Sequence, residues 1–84
     1  MQVICAQAAD ELLDMIGVEA AFVAGRAGDF TTVSARSSST INVQVIMEQL
    51  GGGGHQNVAA AQVETSPEEA IAQIVNIMRK EEIL

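Results

Sequence analysis

The 84-residue chain has room for one small hydrophobic core, and with two Phe and neither Trp nor Tyr that core has to be built from small aliphatic side chains. Four basic residues against eleven acidic ones leave a formal charge of −7, the wrong sign for a domain that tracks an extended RNA or DNA backbone. No apolar run approaches the roughly 20 residues of a bilayer span, the start Met1-Gln2-Val3-Ile4-Cys5 lacks the basic region of a secretory signal, and one cysteine cannot close an internal disulfide; a cytoplasmic, soluble segment is the expectation.

Taken in chain order, Val3-Ile4 reads as the remnant of a strand that precedes the first helix, which places further chain upstream of Met1, and Cys5 reads as a small buried hydrophobe. Ala9, Leu12, Leu13 and Ile16 then recur at helical spacing, with Asp10, Glu11 and Asp14 on the other side and Gly17 as the stop. Ala20 to Ala24 and Phe30 to Arg36 are β-compatible runs separated by the turn formers of residues 25–29, which predicts an antiparallel hairpin. In its second strand the two-residue period puts Thr31, Val33 and Ala35 on one face and Thr32, Ser34 and Arg36 on the other.

Val43, Ile46, Met47 and Leu50 mark a short second helix with Asn42 as its N-cap and Gly51 as its left-handed end. Ala59, Ala61 and Val63 alternate with polar or small neighbours in a third strand. Ser66-Pro67-Glu68-Glu69 is a capping box with Pro at the first helical position, followed by an apolar stripe of Ile71, Ile74, Val75 and Met78 and by Arg79 and Lys80 at the end. Met15, Met47 and Met78 fall on or beside apolar stripes and read as core filling. The order α-β-β-α-β-α, without repeat or linker, predicts a single α/β domain over residues 1–84, a small mixed sheet with packed helices.

Structural need does not account for Gly51-Gly52-Gly53-Gly54-His55 at this level. One glycine would end the helix, and each further one costs about 0.5 to 1 kcal/mol relative to Ala. Successive amides without Cβ atoms can form a nest around an anion, and His55, the sole histidine, can donate to a phosphoryl oxygen or a base edge. No Lys-Ser or Lys-Thr follows, so this is not a P-loop; the bland alternative is a flexible loop with a solvated imidazole. Arg36 is the second candidate, since guanidinium grips two phosphate oxygens at once and this one ends a strand among the hydroxyls of Ser34, Ser37, Ser38 and Ser39 with few carboxylates close in sequence. Its alternative is a surface salt bridge. Asn42 is foremost a helix cap, although a cap facing the glycine loop can also touch a ligand. Catalytic and metal-ligating residues are assigned to none: a metal-dependent phosphodiesterase needs several converging Asp and His ligands, and the residues here favour binding over cleavage.

Ala8-Ala9-Asp10-Glu11-Leu12-Leu13, Val33-Ser34-Ala35-Arg36-Ser37, Ile41-Asn42-Val43-Gln44-Val45-Ile46-Met47-Glu48 and the glycine run with His55 and Ala59-Ala60 together resemble the DHH-associated C-terminal domain of DHH-superfamily phosphoesterases, with the branch of bacterial cyclic-di-AMP phosphodiesterases the best match. The resemblance covers about residues 6 to 64. It implies a parent hydrolase in which a separate DHH domain holds two manganese ions and cleaves the phosphodiester while this domain presents a nucleotide, cyclic dinucleotide or short oligonucleotide. By the same resemblance Gly52, Gly53, Gly54 and His55 contact phosphate or adenine, Arg36 pairs with a phosphate, and Ser34, Ser37 and Asn42 rank second. It also implies that the parent can be membrane-anchored upstream, with this domain on the cytoplasmic side. Two other readings stay open: a stand-alone nucleotide-binding or protein-interaction module, including a homodimer through apolar surface, and an RNA-binding appendage, which the acidic balance disfavours.

Overall fold

The computed structural model describes residues 2–13, 19–38 and 41–81. Its elements are α1 (Gln2–Leu13), β1 (Ala20–Ala27), β2 (Phe30–Ser37), α2 (Val43–Gln49), β3 (Gly53–Gly54), β4 (Val58–Val63) and α3 (Pro67–Lys80). The strands form one sheet in the order β1-β2-β4-β3, and every pairing is antiparallel. The expected α/β architecture is observed, with two departures inside the sheet. It is antiparallel where a mixed sheet was expected, and half of the glycine run forms an unforeseen fourth strand.

Two further expectations change. Val3 and Ile4 lie inside α1 and not in a preceding strand; the strand preference of β-branched residues is weak and a single pair of them does not set the local structure. The hairpin turn narrows to Gly28 and Asp29, because Gly25, Arg26 and Ala27 continue the ladder opposite Thr32, Thr31 and Phe30. The expected helix-end residues Ile16 and Gly17, together with Asp14, Met15 and Ser39, lie outside the described residues.

The two sheet faces are covered unequally, and this creates the site. On one face Val33, Ala35, Ala59 and Ala61 pack against Val43, Ile46 and Met47 of α2 and Ala70 and Ile74 of α3, forming the core. Ser66 secures α3 by accepting from the Glu69 N–H at 3.1 Å, and Asn42 secures α2 by accepting from Val45 N–H at 3.3 Å. On the other face α1 packs across β1 and β2, burying Cys5 and Ala9 on the side of Ala21, Thr32 and Ser34. It stops short of β4, whose Val58, Ala60 and Gln62 stay exposed on that same face.

Candidate functional site

A groove of about 740 Å³ occupies the uncovered half of the sheet. Antiparallel register sets its floor: Arg36 lies opposite Val58, Ser34 opposite Ala60 and Thr32 opposite Gln62, so these six side chains share one face. Ala6 of α1 forms one wall, and the glycine segment with His55 forms the other. Arg36, Ser34, Gly52, Gly53, Gly54 and His55, singled out from sequence, are thus brought into one groove although β2 and the glycine segment are far apart in the chain.

Ser37 and Asn42 do not line it. The Ser37 hydroxyl donates to the Ile41 carbonyl at 2.6 Å and accepts from Asn57 Nδ2 at 2.8 Å, while Ser37 N–H donates to the Asn57 carbonyl at 3.0 Å. Val43 N–H also donates to the Gln56 carbonyl at 2.9 Å. These bonds tie residues 56–57 to β2 and to the start of α2, so Ser37 serves the groove at one remove, by anchoring the turn beside His55. Asn42 is spent as the α2 cap.

The glycines divide by role. Gly51 has φ 87°, and its N–H donates to the Glu48 carbonyl at 3.0 Å while Gly52 N–H donates to the Met47 carbonyl at 2.8 Å. That pair of bonds is a Schellman ending for α2. A Cβ on Gly52 would overlap the Ala60 carbonyl oxygen, and one on Gly54 would lie 2.5 Å from the Val58 carbonyl oxygen. Close approach of β3 to β4 therefore requires both. Gly53 differs: a Cβ there would meet nothing within 4 Å, its φ is not positive, and it pairs with Ala60 on the open half of the sheet.

These contacts correct the picture of the run as an anion nest. The N–H groups of Gly51, Gly52 and His55 are all committed to internal carbonyls, the last to Val58 at 2.7 Å. What the segment offers a ligand is close access to the sheet and the exposed His55 side chain at the β3–β4 turn.

Arg36 also has a partner that its sequence neighbours did not reveal. Its Nε donates to Asp10 Oδ1 at 2.7 Å and its Nη1 to the Ala35 carbonyl at 2.9 Å. The Arg36 side chain is 13% exposed and that of Asp10 62%, so the guanidinium is held from two sides while its Nη2 makes no hydrogen bond among the described residues. Asp10 lies four residues after Ala6 on α1, and i, i+4 positions share a helix face; the same face of α1 walls the groove and orients the guanidinium. Arg36 is the one Lys or Arg that lines it, and no described Asp or Glu does.

Thr32 and Gln62 line the groove and were missed as site residues. Thr32 Oγ1 is buried without a hydrogen-bond partner, and Gln62 is exposed. The available signal was the alternation of β4, which places residues 58, 60 and 62 together. Among the described residues no three His, Cys, Asp or Glu side chains converge as a metal site, and no helix is long and apolar enough to cross a membrane.

The DHHA1 domain family model matches residues 2–81. Over 63 residues the chain is 59% identical to a cyclic-di-AMP phosphodiesterase GdpP of Geobacillus thermodenitrificans, an alignment covering 74% of this chain and 10% of that protein. It is 58% identical over 62 residues to the cyclic-di-AMP phosphodiesterase PdeA of Listeria monocytogenes, covering 73% and 9%. The chain thus spans about a tenth of the length of these curated relatives. The C-Ala domain of Aquifex aeolicus alanyl-tRNA synthetase matches with a TM-score of 0.75 at 18% identity, over 95% of this chain and 79% of that one, a likeness of fold alone.

Proposed function

This chain belongs to the DHHA1 domain family, and from that premise we propose that it is the substrate-holding domain of a DHH-family phosphodiesterase acting on cyclic-di-AMP or short oligonucleotides. One observation carries the reading: Arg36 and the glycine segment with His55, separated in sequence, line the same open groove. In the proposed complex the outer edge of the Arg36 guanidinium pairs with a phosphate oxygen, the Ser34 hydroxyl and His55 imidazole donate to neighbouring oxygens, and Gly53 lets the nucleotide approach the sheet. The fixed guanidinium contributes orientation as well as charge, because a charge-assisted bond from a held fork is directional.

Cleavage is assigned to a separate DHH catalytic domain with two manganese ions, which would activate water and neutralise the phosphate. Among the described residues of this chain no three His, Cys, Asp or Glu side chains converge to hold a metal. A cytoplasmic setting belongs to the same proposal.

Titrating the chain with cyclic-di-AMP, linear pApA and AMP while following amide and Arg36 Nε resonances tests it. Perturbations should map to Gly51 to His55 and Arg36, and Arg36→Ala should weaken them without loss of amide dispersion. Shifts confined to other surfaces would overturn the proposal.

A further inference from the structure

Beyond the phosphate end, the groove has a second polar end that nothing in the proposed chemistry uses. Val58, Ala60 and Gln62 follow one another on the exposed face of β4, and Gln62 sits four residues from Val58, about 13 Å along a strand. Arg36 is paired with Val58, and Thr32 with Gln62. The groove therefore runs from a cation to an uncharged polar pair, with the small side chains of Ala60 and Ser34 and the bare Gly53 between them.

The polar pair is incomplete as it stands. Thr32 is 3% exposed, and its Oγ1 is buried with no hydrogen-bond partner, although buried hydroxyls ordinarily have one. The Gln62 amide directly across makes no hydrogen bond among the described residues either. Its exposed carboxamide carries a donor and an acceptor side by side, the combination that pairs with the amino group and adjacent ring nitrogen of an aminated base such as adenine. A flat base also suits a floor without bulky side chains, here the exposed Ala60 and the bare Gly53 beside it.

We infer that Gln62, supported by Thr32 across the strand pair, is the base-contacting and specificity-determining residue of the groove, with an amino-substituted nucleobase lying over Ala60 and Gly53. This rests on the reading of the Arg36 end as the phosphate site and adds the direction in which the nucleotide lies: phosphate toward Arg36, base edge toward Gln62. The ligand class is then a nucleotide recognised at both ends, not any phosphate ester.

The test compares AMP with ribose 5-phosphate, which has the phosphate and sugar without the base, on the chain and its Gln62→Ala variant by NMR titration. AMP should lose at least about fivefold in affinity in the variant, the low end for a bidentate amide–base contact, while ribose 5-phosphate stays within about twofold of its value in the unaltered chain. If neither ligand responds to Gln62→Ala, the assignment of Gln62 is overturned and the phosphate site stands. Equal losses for both ligands also overturn it, since the residue would then act through the fold. If neither ligand perturbs the groove of the unaltered chain, this inference and the proposed function fall together.

Discussion

Gly52 and Gly53 are adjacent, yet the structure assigns one to the fold and the other to the groove, and replacing each by Ala separates the two roles. In Gly52→Ala the new methyl would overlap the Ala60 carbonyl oxygen and lie 2.7 Å from Ala61 Cα. Both obstacles are backbone, so either β4 or the end of α2 must move. Overpacking a well-filled site costs about 1 to 3 kcal/mol, and the absence of a yielding side chain puts this case near the top, about 3 kcal/mol. For a domain of this size each kcal/mol lowers the melting temperature by roughly 4 to 8 °C, so a fall of roughly 12 to 24 °C follows. In Gly53→Ala the methyl meets nothing within 4 Å and the φ is not positive, so loss of unfolded-chain entropy makes the variant equal or more stable by about 0.4 to 1 kcal/mol. The methyl nevertheless enters the space that the proposed nucleotide would occupy, and displacing it costs about 1 kcal/mol or more, a loss of at least about fivefold in AMP affinity. Thermal melts followed by circular dichroism, paired with AMP titrations, give both numbers for both proteins. If Gly53→Ala destabilises as Gly52→Ala does, or binds AMP as the unaltered chain does, the division of the glycines is wrong.

Asp10→Asn keeps an oxygen for the Arg36 Nε and removes the carboxylate charge beside the phosphate end. AMP affinity should rise about two- to fivefold, within the range of an exposed charge interaction; calorimetry at low and high salt checks this, since the gain should shrink as salt screens it, and a loss of affinity would mean that the charge itself is needed to hold the guanidinium. Thr65→Val removes a buried hydroxyl oxygen without a partner and leaves the backbone carbonyl that accepts from Thr31 Oγ1. It should raise stability by about 1 kcal/mol, read as a higher urea midpoint with an unchanged slope.

The residues that carried their own local signal were legible in the sequence. The Ser66 cap, the Asn42 cap and the left-handed Gly51 each depend on a few consecutive residues, and each appears where expected. Arg36 and His55 stood out by chemistry. What sequence could not supply was pairing at a distance. Asp10 is 26 residues from Arg36 and meets it only because α1 crosses β2. Alternation along β4 puts Ala60 and Gln62 on its exposed side; that this side becomes a groove depends on α1 covering β1 and β2 and leaving β4 open. Ser37 and Asn42 mislead for the opposite reason: their polar groups are taken up by short-range bonds that hold the turn and cap the helix. The glycine run looked superfluous because its constraint comes from Ala60 and Val58 on a strand that had not yet been placed against it.

The charge balance bears on how such a groove can work. With an overall charge of −7, the chain gains little long-range attraction for a nucleotide, since fields beyond about 8 Å are largely screened at physiological salt. Among the described residues Arg36 is the one Lys or Arg lining the groove, and Asp10 already offsets part of its charge. Capture by charge alone is therefore a poor description of this domain. In the proposed complex its contribution is orientation: a guanidinium pinned by Asp10 and the Ala35 carbonyl, a turn beside His55 anchored through Ser37, and a strand floor that fixes the distance from Arg36 to Gln62. In the proposed phosphodiesterase the larger share of phosphate neutralisation then falls to the cations of the catalytic domain, which leaves hydrolysis dependent on the two domains closing on the same nucleotide.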